Sequence, residues 1–145
     1  MTVKQISVFV ENKPGQLAKF AHLLREHEID MRAISLAETR DFGILRVIVN
    51  DAYKAACVLK EEGYIFSITP VLAGAIPDVT GGLVEILDLL GENEINLEYT
   101  YVIITRRKDL AYMILRVGDD ENDKSIEVLS GKGYTLVCQQ DLSEI

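Results

Sequence analysis

The chain has 145 residues, 48% of them hydrophobic, and a formal net charge of −8. This length and apolar content support one ordinary domain or two very small ones and argue against intrinsic disorder. All of the net charge lies in residues 71–145, and the chain has no basic stripe, so nucleic acid and anionic membrane surfaces are not expected as partners.

The first elements are a strand and a helix. Alternating apolar residues at Ile6, Val8 and Val10 predict a strand, which Pro14-Gly15 ends. From Gln16 onward the apolar spacing becomes helical, and the pattern stops near Glu28. A glycine-containing loop therefore joins the predicted strand to the predicted helix.

The rest of the first half predicts three strands and a second helix. The strands are expected at residues 31–38, 43–49 and 65–72. Thr39-Arg40-Asp41 has a turn composition between the first two of them. Asp51 is a predicted N-cap of the helix that follows, and Gly63 a predicted C-cap. The order β-α-β-β-α-β is typical of the ferredoxin-like fold.

The second half repeats the first. Residues 13–36 align without gaps to residues 79–102, and seven positions are identical. Further on, Ile44-Leu45-Arg46-Val47 recurs as Ile114-Leu115-Arg116-Val117, and the changed offset indicates a four-residue insertion around Thr105 to Asp109. The copy predicts strand 71–77, helix 82–93, strands 97–104 and 110–117, helix 122–131 and strand 134–141.

The repeat predicts two modules, residues 1–70 and 71–145. The closing strand of the first runs directly into the opening strand of the second through Thr69-Pro70-Val71. Because each module buries little surface alone, we expect the two to pack as a rigid pair with their sheets joined edge to edge.

The segment Asn12-Lys13-Pro14-Gly15-Gln16-Leu17 follows a strand and precedes a helix, and Ile29-Asp30-Met31 opens the next strand. This loop and its flanking elements resemble the ACT domain, a small regulatory module that typically binds amino acids. The resemblance covers the whole chain twice. It implies an α+β fold of two ferredoxin-like βαββαβ modules packed side by side, with antiparallel sheets and the helices on one face. The second copy departs from the motif, since Thr80-Gly81-Gly82-Leu83 lacks the proline.

The chemistry of these loops favours the binding of a small zwitterionic ligand. Glycines at positions 15, 81 and 82 permit positive φ and close backbone approach, which would let the loops wrap a small ligand. The helix that follows each loop has unsatisfied amide N–H groups, which attract a carboxylate. Asn12 offers both a donor and an acceptor, whereas its counterpart Asp78 is only an acceptor.

The resemblance also implies that a polar residue at the start of the second strand reaches a neighbouring module's loop. The matching positions are Asp30 and Asn96, so Asn12 is expected to face Asn96 and Asp78 to face Asp30. Two carboxylates in one site require a cation or proton, which favours the Asn12–Asn96 site. The predicted ligand-binding residues are Asn12, Lys13, Pro14, Gly15, Gln16, Leu17, Asp30, Asp78, Val79, Thr80, Gly81, Gly82, Leu83 and Asn96. Ordinary loop and capping roles are the alternative for all of the polar ones.

Motifs for catalysis, metals and cofactors are missing. There is no Gly-x-Ser-x-Gly and no Walker loop. The acidic run at 119–123 lacks the central glycine of a calcium loop and has Ser130 where a bidentate Glu is required. No catalytic residue, metal or cofactor is therefore predicted.

The sequence features that bear on cellular location predict a cytoplasmic protein. No apolar run approaches the roughly 18 residues of a membrane-spanning helix. The N-terminal alternation meets Glu11 and is unlike a secretory signal. Cys57 and Cys138 lie within apolar patterns, and we expect buried, reduced thiols.

These observations predict a cytoplasmic, non-enzymatic sensor that binds a free amino acid between two ACT modules and regulates a partner, such as a separate enzyme. A homodimer is expected from the resemblance. Two alternatives stay open: an interaction module without a ligand, and a small enzyme on a ferredoxin-like fold. No residue in the sequence selects one amino acid over another.

Overall fold

A computed structural model describes residues 1–38, 41–105 and 109–145. The chain divides into two compact units. The first unit is Lys4–Thr69, and the second unit is Met1–Val3 together with Pro70–Ile145. Thr39 and Arg40 of the predicted turn lie outside the described residues, and the predicted side-by-side packing of two modules stays a prediction.

The first unit has the predicted βαββαβ order. Its elements are β1 (Val3–Glu11), α1 (Gln16–Glu26), β2 (Met31–Glu38), β3 (Phe42–Val49), α2 (Ala52–Glu61) and the start of β4 (Phe66–Pro77). Strand β3 is antiparallel to both β1 and β2, with Leu45 opposite Val8 and Val47 opposite Ile34. The alternating residues of β1 and β3 bury one face of the sheet against Phe20 and Leu24 of α1 and Leu59 of α2.

The second unit repeats this arrangement. Its elements are the end of β4, α3 (Gly82–Glu92), β5 (Leu97–Ile103), β6 (Leu110–Val117) and α4 (Asn122–Gly131). Strand β6 is antiparallel to β4 and β5. The core joins Leu72 and Leu115 of the sheet to Ile86, Leu90 and Leu129 of the helices. Strand β4 runs without a break through Pro70, as the sequence predicts.

The ends of α2 confirm both predicted caps. The Asp51 carboxylate accepts a hydrogen bond of 2.9 Å from the backbone N–H of Lys54. At the other end Gly63 has φ 75°, and the N–H groups of Gly63 and Tyr64 donate to the carbonyls of Lys60 and Leu59. This pair of bonds is a Schellman motif, which satisfies the last carbonyls of the helix.

The Asp51 cap gives a simple stability test. Asp51→Ala leaves a helix N–H without its acceptor, and we expect the free energy of unfolding to fall by about 1 kcal/mol. Denaturant unfolding followed by circular dichroism measures this change. Asp51→Asn keeps a side-chain acceptor and should stay within a few tenths of a kcal/mol of the unsubstituted protein. An equal loss in both variants would contradict the capping role.

The prediction of a last strand over residues 134–141 is wrong. The segment makes a single bridge in which Gly74 lies opposite Leu136. The chain then turns into a short 3₁₀ helix, Gln139–Ser143, in which the Asp141 carboxylate accepts the Cys138 N–H at 2.8 Å. That bond uses a donor that a strand ladder requires, and the turn buries Leu142 instead.

The predicted place of the four-residue insertion is wrong for two of its residues. Strand pairing sets Val47 opposite Ile34 in the first unit and Leu115 opposite Thr100 in the second. Val47 therefore corresponds in space to Leu115 and not to Val117. Two of the extra residues lie in the connection between β5 and β6, and two lie in the turn before α4. The repeated Ile-Leu-Arg-Val segments are two residues out of register.

Candidate functional site

The loop between β1 and α1 is a tight turn. The N–H of Lys13 donates to the carbonyl of Glu11 at 2.9 Å, and the N–H of Gln16 donates to the carbonyl of Lys13 at 3.3 Å. The N–H of Asn12 donates to the carbonyl of Asp41 at 3.0 Å. Gly15 has φ 83° and immediately precedes the helix, which requires a residue that tolerates positive φ.

The loop between β4 and α3 repeats these bonds. The N–H groups of Asp78, Val79 and Gly82 donate to the carbonyls of Asp109, Pro77 and Val79 at 3.2, 2.9 and 3.0 Å. Gly81 has φ 89° in the position of Gly15. The loss of the proline at Thr80 therefore leaves the backbone of the loop unchanged.

Each loop leads into the N-terminus of a helix. The N-cap residues, Gly15 and Gly81, make no side-chain capping hydrogen bond. Within the described ranges, the backbone N–H groups of Leu17, Ala18 and Leu83 have no hydrogen-bond acceptor. Such groups, together with the helix dipole, attract an anion. The exposed Lys13 side chain forms an ion pair of 3.0 Å with Glu11 beside the first loop.

Gly82 does not have the role that the sequence suggests. Its φ is not positive, and it is buried. A Cβ atom at this position would lie 2.4 Å from the carbonyl oxygen of Pro77. Gly82 is thus required for close packing of α3 against the end of β4, and its burial leaves little surface for a ligand. Leu83 likewise packs partly against the core of the second unit.

The two strand starts differ in how they are held. The N–H of Asp30 donates to Asn50 Oδ1 at 2.9 Å, and the N–H of Asn50 donates back to the Asp30 carbonyl at 3.0 Å. The Asp30 carboxylate is paired with Arg32 at 3.3 Å. Asn96 is exposed, and its side chain has no hydrogen-bond partner in the described part of the chain.

Within each unit the loop and the strand start lie at opposite ends of the central strand. Glu11 is opposite Phe42 at one end of β3, and Met31 is opposite Val49 at the other. At roughly 3.3 Å per residue these ends are more than about 20 Å apart. Neither unit alone brings Asn12 to Asp30, or Asp78 to Asn96. The predicted pairs Asn12–Asn96 and Asp78–Asp30 stay predictions.

Three surface cavities lie within the units, and the first reaches Pro77 at the edge of the second loop. One, of about 600 Å³, lies between α3 and the turn around Tyr134 and is lined by Glu85, Asp88 and Glu92. Another, of about 320 Å³, lies at the equivalent place beside Tyr64. A third, of about 420 Å³, lies at the C-terminal end of α1 and includes Asp30.

Burial raises the pKa of both tyrosines in the equivalent cavities, with nearby Glu62 adding to the rise for Tyr64 and Glu85 for Tyr134. Both phenols therefore stay protonated at neutral pH.

Among the described residues no group of three or more His, Cys, Asp or Glu is placed to hold a metal ion. No helix in those ranges is long and apolar enough to cross a membrane. The prediction of buried thiols is wrong for Cys57, which is exposed, and Cys138 is only half-buried.

Two βαββαβ units, each with a positive-φ glycine that opens its first helix, define a duplicated α+β module. A family model described as the ACT domain pair matches residues 1–145. The chain belongs to this family, and it is therefore a regulatory ligand-binding module. The resemblance stated from the loop residues is confirmed.

Solved structures agree with this assignment. Protein BT0572 from Bacteroides thetaiotaomicron is 36% identical, with a TM-score of 0.90 over 100% of this chain and 98% of that one. The ligand-free regulatory subunit of aspartate kinase from Thermus thermophilus has a TM-score of 0.64 at 14% identity, over 90% of this chain and 92% of that one. A chain of the aspartokinase alpha and beta subunits has a TM-score of 0.59 at 18% identity, over 88% and 90%. These last two share the fold alone, and no curated protein sequence matches the chain.

Proposed function

We propose that this ACT domain pair binds a free amino acid and reports its presence to a partner protein by surface contact. The observation that carries the proposal is the pair of matching loops, each of which turns at a positive-φ glycine and opens a helix with N–H groups left without an acceptor. A ligand α-carboxylate would accept hydrogen bonds from these groups. The site requires the start of a second strand from another unit, within the chain or in a second copy.

The Asn12–Asn96 pairing is the stronger candidate site. The exposed Asn96 side chain is available to a ligand, whereas Arg32 already neutralises the Asp30 carboxylate. Two amide side chains can accept hydrogen bonds from an α-ammonium group and donate others without bringing like charges together. In a site with Asp78 and Asp30, the pairing of Asp30 with Arg32 relieves the repulsion between the two carboxylates but leaves the Asp30 carboxylate less available to a ligand α-ammonium group.

The partner in this proposal is a separate enzyme, and the sensor itself carries no reaction. The regulatory subunits of aspartate kinase from Thermus thermophilus and Thermus flavus share this fold over nearly their full length, which supports a regulatory subunit of this size. The signal would be a shift in the population of conformations, since a ligand favours whichever state binds it better. A homodimer would supply further strand starts to the loops.

Thermal unfolding with each of the twenty amino acids tests this function. A ligand present at a hundred times its dissociation constant should stabilise the protein by about 2.7 kcal/mol. Asn12→Ala should weaken this response, and Asp78→Ala should leave most of it. If no amino acid raises the melting temperature of the unsubstituted protein, the sensor function is wrong and the interaction module without a ligand becomes the better hypothesis.

Two glycines provide a matched control for the loop. Gly15 and Gly63 both have positive φ, 83° and 75°, and neither has a neighbouring atom within 4 Å of an added Cβ. Gly15→Ala and Gly63→Ala should therefore strain the backbone by similar amounts, about 1 kcal/mol each. Only Gly15→Ala places a methyl group in the proposed site. An equal loss of amino-acid affinity in both variants would exclude the loop as the binding element.

A further inference from the structure

Arg116 is a buried cation at a position where the first unit has an apolar residue. Strand register places Arg116 opposite Tyr99 and Ile48 opposite Ala33, so the two positions are equivalent in the two units. Ile48 is fully buried, and Arg116 is only 9% exposed. A guanidinium in such a place is tolerated only when its hydrogen bonds are made, and this one has specific partners.

These partners come from three separate segments of the second unit. Arg116 Nε donates a hydrogen bond of 3.2 Å to Oε2 of Glu98, which lies at the start of β5. Arg116 Nη1 donates to Asp119 Oδ1 at 2.8 Å in the turn before α4, and to the Pro70 carbonyl at 3.2 Å in β4. Pro70 is the residue at which the chain enters this part of the second unit. The planar fork of arginine suits such a bridge, since one side chain reaches all three segments.

Glu98 occupies a bulge close to Asn96. The pairing of β5 with β6 shifts register between Leu97 and Tyr99, so Glu98 is the inserted residue. On the other side of Asn96, Ile95 is buried and its N–H donates to the Leu90 carbonyl at 2.9 Å. Asn96 is thus exposed between two residues that are held in place, Ile95 and Glu98. Glu98 is held by its ion pair with Arg116.

The first unit holds its strand start in another way. Its bulge residue, Arg32, forms its ion pair with Asp30 itself, and Asn50 bonds the backbone of Asp30. The equivalent bulge residue, Glu98, leaves Asn96 without a side-chain partner and bonds to Arg116 instead. In the second unit, therefore, Arg116 holds the start of β5 through Glu98, and the Asn96 side chain stays available to a ligand.

We propose that Arg116 is the positioning residue of the amino-acid site: it fixes the bulge at the start of β5 and thereby aims Asn96 at the ligand. This inference rests on the proposed function, because it assigns Asn96 to the site. Arg116 touches no ligand in this scheme. Its effect on affinity comes through Glu98, and the preformed strand start reduces the ordering that ligand binding would otherwise require.

The test combines ligand affinity with hydrogen exchange in the full chain. Arg116→Met keeps an unbranched apolar stem and removes the charge and the hydrogen-bond donors. It should speed amide exchange at residues 97–99 and raise the dissociation constant of the amino acid found by thermal screening roughly 2- to 30-fold. Arg116→Lys, which keeps the charge but loses the fork, should recover part of both losses. Arg46→Met is the control for loss of an arginine from a central strand, since Arg46 lies in β3 of the first unit and its position does not correspond to that of Arg116.

A milder variant covers a failure of Arg116→Met to fold. Glu98→Gln keeps the shape of the half-exposed partner and removes its charge, and it should raise the dissociation constant in the same direction. Unchanged affinity and unchanged exchange at residues 97–99 in both Arg116→Lys and Glu98→Gln would overturn the proposal. If the unsubstituted protein binds no amino acid, the proposed function fails by that result alone. The exchange data then decide separately whether Arg116 holds the strand start.

Discussion

Phe20→Ala should lower the free energy of unfolding by about 3–5 kcal/mol, enough to leave the first unit largely unfolded at moderate temperature. Phe20 is fully buried at the centre of the first core. Its ring meets Tyr64 edge to face, with centroids 5.8 Å apart at 84°. The substitution removes that aromatic pair and leaves a cavity between α1 and the sheet. Denaturant unfolding followed by circular dichroism measures the loss.

Tyr53→Ala is the control for loss of an aromatic ring. Tyr53 lies in α2 of the same unit and is 80% exposed, so its removal should change stability by no more than about 0.5 kcal/mol. Because the chain has two units, unfolding of the Phe20 variant should become biphasic if the units unfold independently. A Phe20→Ala loss close to that of Tyr53→Ala would show that the core of the first unit is not packed as the structure has it.

The internal repeat made most of the fold predictable from one sequence. Helix α1 shows where prediction stopped: its apolar pattern continues to Glu28, but the helix ends at Glu26. Glu28 takes φ 52° and Glu94 takes φ 56°, although glycine is the usual residue in that conformation. Nothing in the type of either residue indicates positive φ. Their identity in both copies of the repeat was the available signal.

Sequence similarity misled the alignment of β3 with β6. Four matching residues outweighed strand register, because a shift of two residues along a strand keeps every side chain on the same face. The apolar alternation is satisfied equally well in either register. Only pairing with β2 and β5 reveals that Arg116 corresponds to Ile48, and so no sequence pattern singled out the Arg116 cluster.

The candidate site was predictable in its loops and not in its strand starts. Positive φ at Gly15 and Gly81 follows from glycine after a strand and before a helix, which is a local pattern. Asn50, which holds the Asp30 backbone, and Arg116, which holds Glu98, are 20 and 18 residues away in the sequence. Such contacts depend on how β3 and β6 return beside their neighbours. The different availability of Asp30 and Asn96 therefore needed coordinates.

Gly82→Ala should destabilise the second unit by about 1–3 kcal/mol, although alanine is the better helix former. The added Cβ atom would lie 2.4 Å from the Pro77 carbonyl oxygen, a backbone atom held by its bond from the Val79 N–H. The end of β4 or the first turn of α3 must shift to relieve this overlap. The first unit accepts Gln16 at the equivalent position, so the tighter approach belongs to the second loop alone.

The same helix supplies a control of opposite sign. Gly91 lies one residue before the end of α3, with open space around an added Cβ atom. Gly91→Ala should therefore stabilise the protein by about 0.5–1 kcal/mol through helix propensity. Thermal unfolding of the two variants, side by side, isolates the overlap with Pro77 from the general effect of replacing glycine in α3. Stabilisation by Gly82→Ala would mean that α3 does not approach β4 this closely, and the compact form of the second loop would then be wrong.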